Sequence, residues 1–156
     1  MAEEMEGGCA CGAVRYRLAT SPMFVHCCHC RDCQRQTGSA FVINALIETD
    51  RVALLGATPE PVEMPTDSGR PHRIFRCPAC GTALWSEYGG RAALRFVRVG
   101  TLDEPAHVPP DVHIYIRSKL PWVRLPDNVP SFEAYYDSRK LWPPASLERA
   151  AAIRGR

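Results

Sequence analysis

The chain has 156 residues, of which 46% are hydrophobic and 23% are charged, and its formal net charge is +2. This composition is typical of one soluble globular domain with its own hydrophobic core. The small net charge and the lack of a long basic run argue against a nucleic-acid partner, and the longest apolar run, AFVINALI, is too short to span a membrane.

The predicted elements, taken in chain order, are mostly short β-strands. AVRYRL, residues 13–18, alternates apolar and basic side chains as a half-buried strand does, and SAFVINALI, residues 39–47, predicts a more buried strand. Five later runs bounded by Gly, Pro or Asp also predict strands: RVALLG, RIFRC, TALWSEY, AALRFVRVG and VHIYIRS. The Pro-rich segments TPEPVEMP, EPAHVPPD and PWVRLPDNVP predict extended connections. The fold class is therefore mainly β.

Two helices are predicted beside these strands. A short helix covers about residues 31–36 and ends at Thr37-Gly38, where Gly38 can form a left-handed cap. A second helix is expected in SLERAAAIR after Pro143-Pro144, because Ala and Leu favour helix, although this tail has few obvious core anchors. With no linker or repeat in the sequence, we expect a single domain over residues 1–137 and a partly helical tail over residues 138–156.

The eight cysteines favour metal binding over disulfide formation. The acidic start MAEEMEGG lacks the basic and apolar regions of a secretory signal, so we expect a cytoplasmic protein, and disulfides are rare in the cytosol. Cys27 and Cys28 are adjacent, and Cys9 and Cys11 are separated by one residue; neither pair closes an ordinary disulfide easily. Clustered cysteines in this setting more often bind metal.

Four of the cysteines can form a closed zinc site. Cys77-Pro-Ala-Cys80 has the spacing of a zinc knuckle, which supplies two ligands where zinc needs four. Cys9-x-Cys11 is the natural second pair, and together the four thiolates would leave no open position. The alternative is that Cys9 and Cys11 are unpaired buried thiols.

The remaining cysteines of the CCHCRDC stretch predict an open site. Cys28, Cys30 and Cys33 would be three ligands with one exchangeable position, as in catalytic zinc sites. Cys27 and His29 are weak candidates for a fourth ligand because adjacent residues in an extended segment point in opposite directions, whereas His26 remains an alternative that would close the site. Zinc held by three thiolates is a weak Lewis acid suited to binding a further thiol, which could then meet an aldehyde.

The motifs together resemble a known family. GGCACGAVRY, CCHCRDCQRQTGSAF, RCPACGTALW, VGTLDEP and HIYIRSKLPW, spread over about Gly7 to Phe132, are similar to the glutathione-dependent formaldehyde-activating enzymes, a family that includes centromere protein V. The resemblance implies a β-tent zinc fold of small antiparallel sheets. It implies one structural zinc on Cys9, Cys11, Cys77 and Cys80. It also implies a second zinc on Cys28, Cys30 and Cys33, where glutathione can displace ligands or bind nearby. The implied activity is addition of glutathione to formaldehyde, formally a carbon–sulfur lyase reaction run in reverse.

Residues near the second group are candidates for substrate binding. Arg31 and Arg35 are four residues apart and could clamp a carboxylate of glutathione, although a solvated helix face accounts for them equally. Possible pocket residues follow on the same segment: Gln34, Thr37, Gly38 and Ser39. Trp122 is expected in the core, and His113 is a weak acid–base candidate.

The leading hypothesis is a lyase-like protein with two zinc ions per chain that binds glutathione or a similar thiol and adds it to formaldehyde or another small aldehyde. The alternative is a non-enzymatic zinc protein in which both metals are structural, serving as a thiol carrier or a protein-interaction module. The motifs describe the metal sites and leave the substrate and the oligomeric state open.

Overall fold

The computed structural model describes residues 3–156. Within them the chain forms ten β-strands and two α-helices. The strands are β1 (Met5–Gly8), β2 (Arg15–Leu18), β3 (Phe24–Cys28), β4 (Val42–Glu48), β5 (Val52–Leu54), β6 (Glu60–Met64), β7 (His72–Arg76), β8 (Ala83–Tyr88), β9 (Leu94–Arg98) and β10 (Val112–Ile114). The helices are α1 (Arg31–Thr37) and α2 (Pro144–Ala152). The prediction of a mainly β fold is confirmed, and each of the seven runs predicted as strands contains one.

The strands form two sheets. A three-stranded antiparallel sheet has the order β1-β2-β5, and a seven-stranded sheet has the order β10-β3-β4-β9-β8-β7-β6. Every pair is antiparallel except β10 and β3. The long connection after β9, residues 99–111, carries the chain to the far edge of the sheet, where β10 enters parallel to β3.

The main core lies between the two sheets. Trp85 of β8 meets the edge of the Tyr16 ring of β2 with 5.6 Å between ring centroids, and both side chains are buried. The Tyr16 hydroxyl hydrogen-bonds the Thr101 hydroxyl at 2.7 Å. Gly7 of β1 passes this contact so closely that a Cβ there would lie 2.5 Å from the Thr101 carbonyl oxygen, which leaves room only for glycine.

The opposite face of the seven-stranded sheet carries polar side chains and α1. Strand pairing puts Cys28 beside Val42 and Asn44 beside Arg98, and alternation along each strand places all four on the same face. The helix α1 lies over β4 on this side, and Gln36 contacts Arg98. The sheet therefore separates an apolar core on one face from a polar layer beside the densest cysteine cluster on the other.

The short helix α1 matches its prediction closely. Cys30 caps its N-terminus, with the sulfur accepting from the Cys33 amide at 3.3 Å. Gly38 takes the left-handed conformation with φ of 64°, and its N–H donates to the Gln34 carbonyl. This ending is the one expected when glycine closes a helix.

The C-terminal helix is also confirmed, but the expectation of few anchors in the tail is wrong. The Ser146 hydroxyl donates to the Met23 carbonyl at 2.7 Å, and Arg149 forms a bidentate ion pair with Glu48. Trp142, Ala150 and Ile153 pack against a small buried cluster made of Met23, Leu46 and Leu94. The tail is therefore held by both polar and apolar contacts.

Three strands lie outside the predicted runs: β1, β3 and β6. β6 falls in the Pro-rich segment that was expected to be a connection, and it contains Pro61. It is the last strand of the sheet, and an edge strand tolerates a residue that cannot donate a backbone hydrogen bond. Over residues 3–156, neither helix has the length and apolar character needed to cross a membrane.

Candidate metal and thiol site

The first cysteine group has the geometry of a closed metal site. The sulfurs of Cys9, Cys11, Cys77 and Cys80 all lie within 4.8 Å of one another. The Sγ atoms of Cys9 and Cys11 are 3.5 Å apart, and those of Cys11 and Cys77 are 3.8 Å apart. Tetrahedral zinc with Zn–S bonds of about 2.3 Å places its sulfurs about 3.8 Å apart. The four side chains therefore fit a zinc ion.

Two turns bring these four sulfurs together. Cys9 and Cys11 lie in the turn between β1 and β2, where the Val14 amide donates to the Cys9 sulfur at 3.3 Å. Cys77 and Cys80 lie in the turn between β7 and β8, closed by a hydrogen bond from the Gly81 N–H to the Cys77 carbonyl. The Thr82 hydroxyl contacts the Cys80 sulfur at 3.1 Å and lowers the pKa of that thiol to about 5. Such donors stabilise thiolates, the form that binds metal.

The second group joins the end of β3 to the start of α1. The sulfurs of Cys28, Cys30 and Cys33 lie within 4.8 Å of one another, with Cys28 and Cys33 buried and Cys30 half-buried. Contacts with the Cys28 and Cys33 thiols lower the pKa of Cys30, whereas contacts with Cys28 and Cys30 raise the pKa of Cys33. The shared contacts favour negative charge on Cys30, the most exposed of the three. These donors fit a soft metal ion such as zinc.

No fourth protein ligand joins this group in the part of the chain that the structure describes. His26, the alternative ligand, points elsewhere: its Nε2 hydrogen-bonds the Tyr136 hydroxyl at 2.6 Å. Burial lowers the pKa of His26 to about 4, so the ring is neutral at physiological pH. The structure thus brings together the three predicted cysteines and leaves His26 outside, while the role of each as a ligand stays a prediction.

A separate buried cluster contains Cys27, His29 and His113. The Nε2 atom of His29 lies 3.6 Å from the Cys27 sulfur and 3.0 Å from His113 Nδ1. Burial lowers the pKa of both histidines, so neither carries charge at neutral pH. The parallel pairing of β10 with β3 places His113 beside Cys27. His113 therefore links β10 to the segment that contains Cys27 and His29, next to the second cysteine group.

The predicted substrate residues are divided between two cavities. The first, here called the Trp122 cavity, has a volume of about 420 Å³. Its lining residues are Arg31, Gln34, Arg35, Gly38, Ser39, Ala40, Leu120 and Trp122. Arg31 and Arg35 form no ion pair with any carboxylate in residues 3–156, although Arg31 donates to the Gln34 side-chain oxygen.

In the Trp122 cavity, the Gln34 side chain hydrogen-bonds two backbone carbonyls, whereas the Trp122 side chain is largely exposed. The Gln34 amide donates to the carbonyls of His29 and Ser118 at 2.8 and 2.9 Å, which ties the second cysteine group to the segment after β10. Trp122 is 68% exposed, so the expectation that it lies in the core is wrong. The segment around Trp122 follows β10, and this largely exposed residue lines the cavity.

The second cavity, here called the Arg98 cavity, lies beside the second cysteine group and has a volume of about 430 Å³. Thr37 lines this cavity and not the first, and its hydroxyl donates to the Cys33 carbonyl at 2.7 Å. Gln36 joins the cavity to the cysteines: its side-chain oxygen accepts from Arg98 Nη2 at 2.5 Å, and its Nε2 lies 3.8 Å from the Cys33 sulfur. Neither Gln36 nor Arg98 was predicted from the sequence as a site residue.

A known protein family matches most of this chain. The model of the family described as glutathione-dependent formaldehyde-activating enzyme matches residues 4–118, most of the chain. The protein belongs to this family. All eight cysteines of this family member lie within the matched region, and the resemblance inferred from the motifs is confirmed.

Two individual similarities accompany the family match. A curated protein of Halomonas elongata, whose name assigns it provisionally as a glutathione-dependent formaldehyde-activating enzyme, is 28% identical over 126 residues, covering 78% of this chain and 80% of that protein. A crystal structure of a Rhodobacter sphaeroides protein covers 82% of this chain and 100% of its own, with 18% identity and a TM-score of 0.49.

Proposed function

We propose that this protein binds glutathione, or a closely similar thiol, at a zinc ion held by Cys28, Cys30 and Cys33, and promotes its addition to formaldehyde or another small aldehyde. The observation that carries the proposal is the separation of the cysteines into two groups. Four sulfurs form a set sufficient for a structural metal, and three form a second set with no fourth protein ligand among residues 3–156. Three protein ligands and one open position are typical of catalytic zinc.

The chemistry needs a thiolate, an aldehyde and a proton. The thiolate sulfur of glutathione forms a bond to the carbon of formaldehyde as the C=O π bond breaks, and the oxygen takes up a proton that replaces the one released by the thiol, giving S-hydroxymethylglutathione. Zinc bound by the three cysteines would supply the positive charge that keeps a further thiol deprotonated at neutral pH. This assignment makes the protein a carbon–sulfur lyase acting in the direction of addition.

The side chains around α1 would orient the thiol. Cys30 is the most exposed of the three sulfurs and lies at the helix N-terminus, next to Arg31. Arg31 and Arg35 present guanidinium groups to the Trp122 cavity without a carboxylate partner, so they can bind a carboxylate of glutathione. Gln34, Gly38 and Ser39 complete that wall of the cavity.

Cobalt substitution tests the proposal directly. Glutathione added to the cobalt-loaded protein should increase the sulfur-to-cobalt charge-transfer absorption, and this increase should be absent from Cys30→Ala. Cys27→Ala is the matched control, because Cys27 lies in the same stretch but outside the three-sulfur group; it should respond as wild type does. Metal analysis should find one metal ion per chain in Cys30→Ala and two in Cys27→Ala.

The same experiment separates the alternative of a protein with two structural metals. On that alternative glutathione leaves the cobalt spectrum unchanged in every variant, and Cys30→Ala unfolds because it has lost an architectural metal. A folded Cys30→Ala that retains one metal and no longer responds to glutathione supports thiol binding at the second group.

A further inference from the structure

Arg98 is a buried cation without a carboxylate partner in the described chain. The residue is 6% exposed, and its two Nη atoms donate to neutral amide oxygens, those of Asn44 and Gln36. Its Nε–H has no hydrogen-bond partner among residues 3–156. A buried guanidinium whose hydrogen bonds all go to neutral acceptors is costly unless an anion completes its environment.

The surroundings of Arg98 have the features of a binding cavity. Arg76 stands on the same cavity wall, donates to the Gly81 carbonyl at 3.1 Å, and forms no ion pair with a carboxylate of residues 3–156. The apolar residues Phe41, Val42 and Ile43 also line this space. A volume of about 430 Å³ is far larger than formaldehyde requires, and two guanidinium groups on an apolar pocket suit an organic acid.

The cavity also lies beside the reacting group assigned above. Gln36 spans from Arg98 to the Cys33 sulfur, and strand pairing puts Arg98 on the same sheet face as Cys28. A carboxylate bound at Arg98 would therefore be separated from the Cys33 sulfur by the Gln36 side chain alone. The Arg31–Arg35 pair lies elsewhere: residues 31 and 35 are about 160–200° around the helix axis from residue 33.

We propose that the Arg98 cavity binds the carboxylate of a substrate that reacts at the Cys28–Cys30–Cys33 group, with Arg98 and Arg76 as its cationic partners. The location of the reacting atom rests on the proposed function, whereas the carboxylate site stands on the cavity itself. Two sources share this chemistry: the glycyl carboxylate of glutathione, and the carboxylate of an aldehyde acid that takes the place of formaldehyde.

A role for Arg98 solely as a counter-charge to the cysteine thiolates leaves two observations without an explanation. The Gln36 amide stands between the guanidinium and Cys33, and no hydrogen bond joins Arg98 to a sulfur in the described residues. A counter-charge also needs neither the cavity nor the second arginine at position 76. A carboxylate ligand accounts for both the cavity and the second arginine.

Calorimetric titration of the metal-loaded protein tests the proposal. The ligands are glutathione, glutathione monoethyl ester, in which the glycyl carboxylate is blocked, and glyoxylate. If the glycyl carboxylate occupies the cavity, wild type should bind glutathione about tenfold to a hundredfold more tightly than the ester, and Arg98→Gln should bind both equally. If an aldehyde acid occupies it, glutathione and its ester should bind alike, and Arg98→Gln should weaken glyoxylate binding by a similar factor. The idea is overturned if Arg98→Gln changes the affinities of glutathione, ester and glyoxylate by the same factor or not at all.

Further variants keep the proposal testable if Arg98→Gln does not fold. Arg76→Gln removes the less buried cation and should reduce the carboxylate-dependent part of the ligand affinity by at least threefold. Arg70→Gln changes an exposed arginine outside the cavity and should leave that part of the affinity unchanged. Arg98→Lys keeps the charge without the planar fork and should retain part of the discrimination. Normal circular dichroism of Arg76→Gln together with full wild-type discrimination would also contradict the proposal.

S-methylglutathione separates this proposal from the proposed function. It keeps both carboxylates but cannot bind metal as a thiolate. If glutathione fails to change the cobalt spectrum while S-methylglutathione still binds more weakly to Arg98→Gln than to wild type, thiol ligation is wrong and the carboxylate site stands. If the cobalt spectrum responds to glutathione but Arg98→Gln leaves the affinities of S-methylglutathione and the other three ligands unchanged, the carboxylate site is wrong and thiol ligation stands.

Discussion

Replacing Arg149 by methionine should destabilise the protein by about 2–3 kcal/mol at neutral pH. Arg149 Nε and Nη2 donate to the two carboxylate oxygens of Glu48 at 2.7 and 2.6 Å, and the Glu48 side chain is only 4% exposed. Breaking such a buried pair from one side costs about 3–5 kcal/mol. The expected value is smaller because Arg51 still lies 3.4 Å from Glu48 and methionine keeps the apolar packing of the side chain.

The destabilisation should depend on pH in a defined direction. Burial by itself would raise the pKa of Glu48, but the hydrogen bonds and charge of Arg149 outweigh it, and the pKa lies below its ordinary value. The pair therefore stabilises the folded protein fully above the unfolded value of about 4.3 and loses this contribution as the pH falls through the lower, folded-state pKa. The difference between wild type and Arg149→Met should be largest near pH 7 and shrink below about pH 4.

Urea unfolding followed by circular dichroism at pH 7 and near pH 3.5 measures both effects, with metal content held equal in all samples. Arg154→Met is the matched control, because Arg154 is an exposed arginine just after the same helix with no ion pair in the described residues; it should change stability by less than about 0.5 kcal/mol. The reasoning would be refuted if Arg149→Met were as stable as wild type at pH 7, or if it were destabilised by the same amount at both pH values.

Three further substitutions have definite expected outcomes. Cys9→Ala should leave one metal ion per chain by elemental analysis and lower the urea midpoint more than Cys27→Ala does, because it opens the four-cysteine group that joins the two sheets; retention of two metal ions would contradict this. Gly38→Ala should cost about 1 kcal/mol in urea unfolding, since the position has a φ of 64° and no atom crowds an added Cβ; a cost near zero would count against a strained cap. Trp122→Ala should change the free energy of unfolding by less than about 0.5 kcal/mol because the ring is largely exposed; a loss above 2 kcal/mol would show that it packs as core.

The features predicted well from the sequence are those set by short stretches of chain. The position of α1 was predicted from Gly38 as a stop signal and from the residues before it. The structure confirms that the helix ends at Thr37 with Gly38 as its cap. The two cysteine groups were separable because ligand number and spacing are local properties, and the structure brings the sulfurs of each group within 4.8 Å. Seven strands were visible because alternation and β-branched residues mark each of them individually.

The features missed by the sequence depend on how separate strands are paired. Arg98 faces the cavity because β4 and β9 are in a register that puts Asn44 beside it, and nothing near Arg98 in the sequence indicates that partner. His113 reaches Cys27 only through the parallel pairing of β10 with β3. Trp122 was assigned to the core from residue type alone, whereas its exposure is decided by where the chain runs after β10.

The two cysteine groups also differ in how far apart their members lie along the chain, and this difference has a consequence for assembly. Cys28, Cys30 and Cys33 fall within one short segment, whereas Cys11 and Cys77 are separated by 66 residues. Closing the longer loop in an unfolded chain costs roughly 2 kcal/mol more than closing the shorter one. With zinc present, the three-cysteine group can capture an ion before any sheet exists, while the four-cysteine group must wait until β1–β2 and β7–β8 have formed and docked. If both groups bind zinc, a newly made chain is therefore expected to load the three-cysteine group first and the four-cysteine group last.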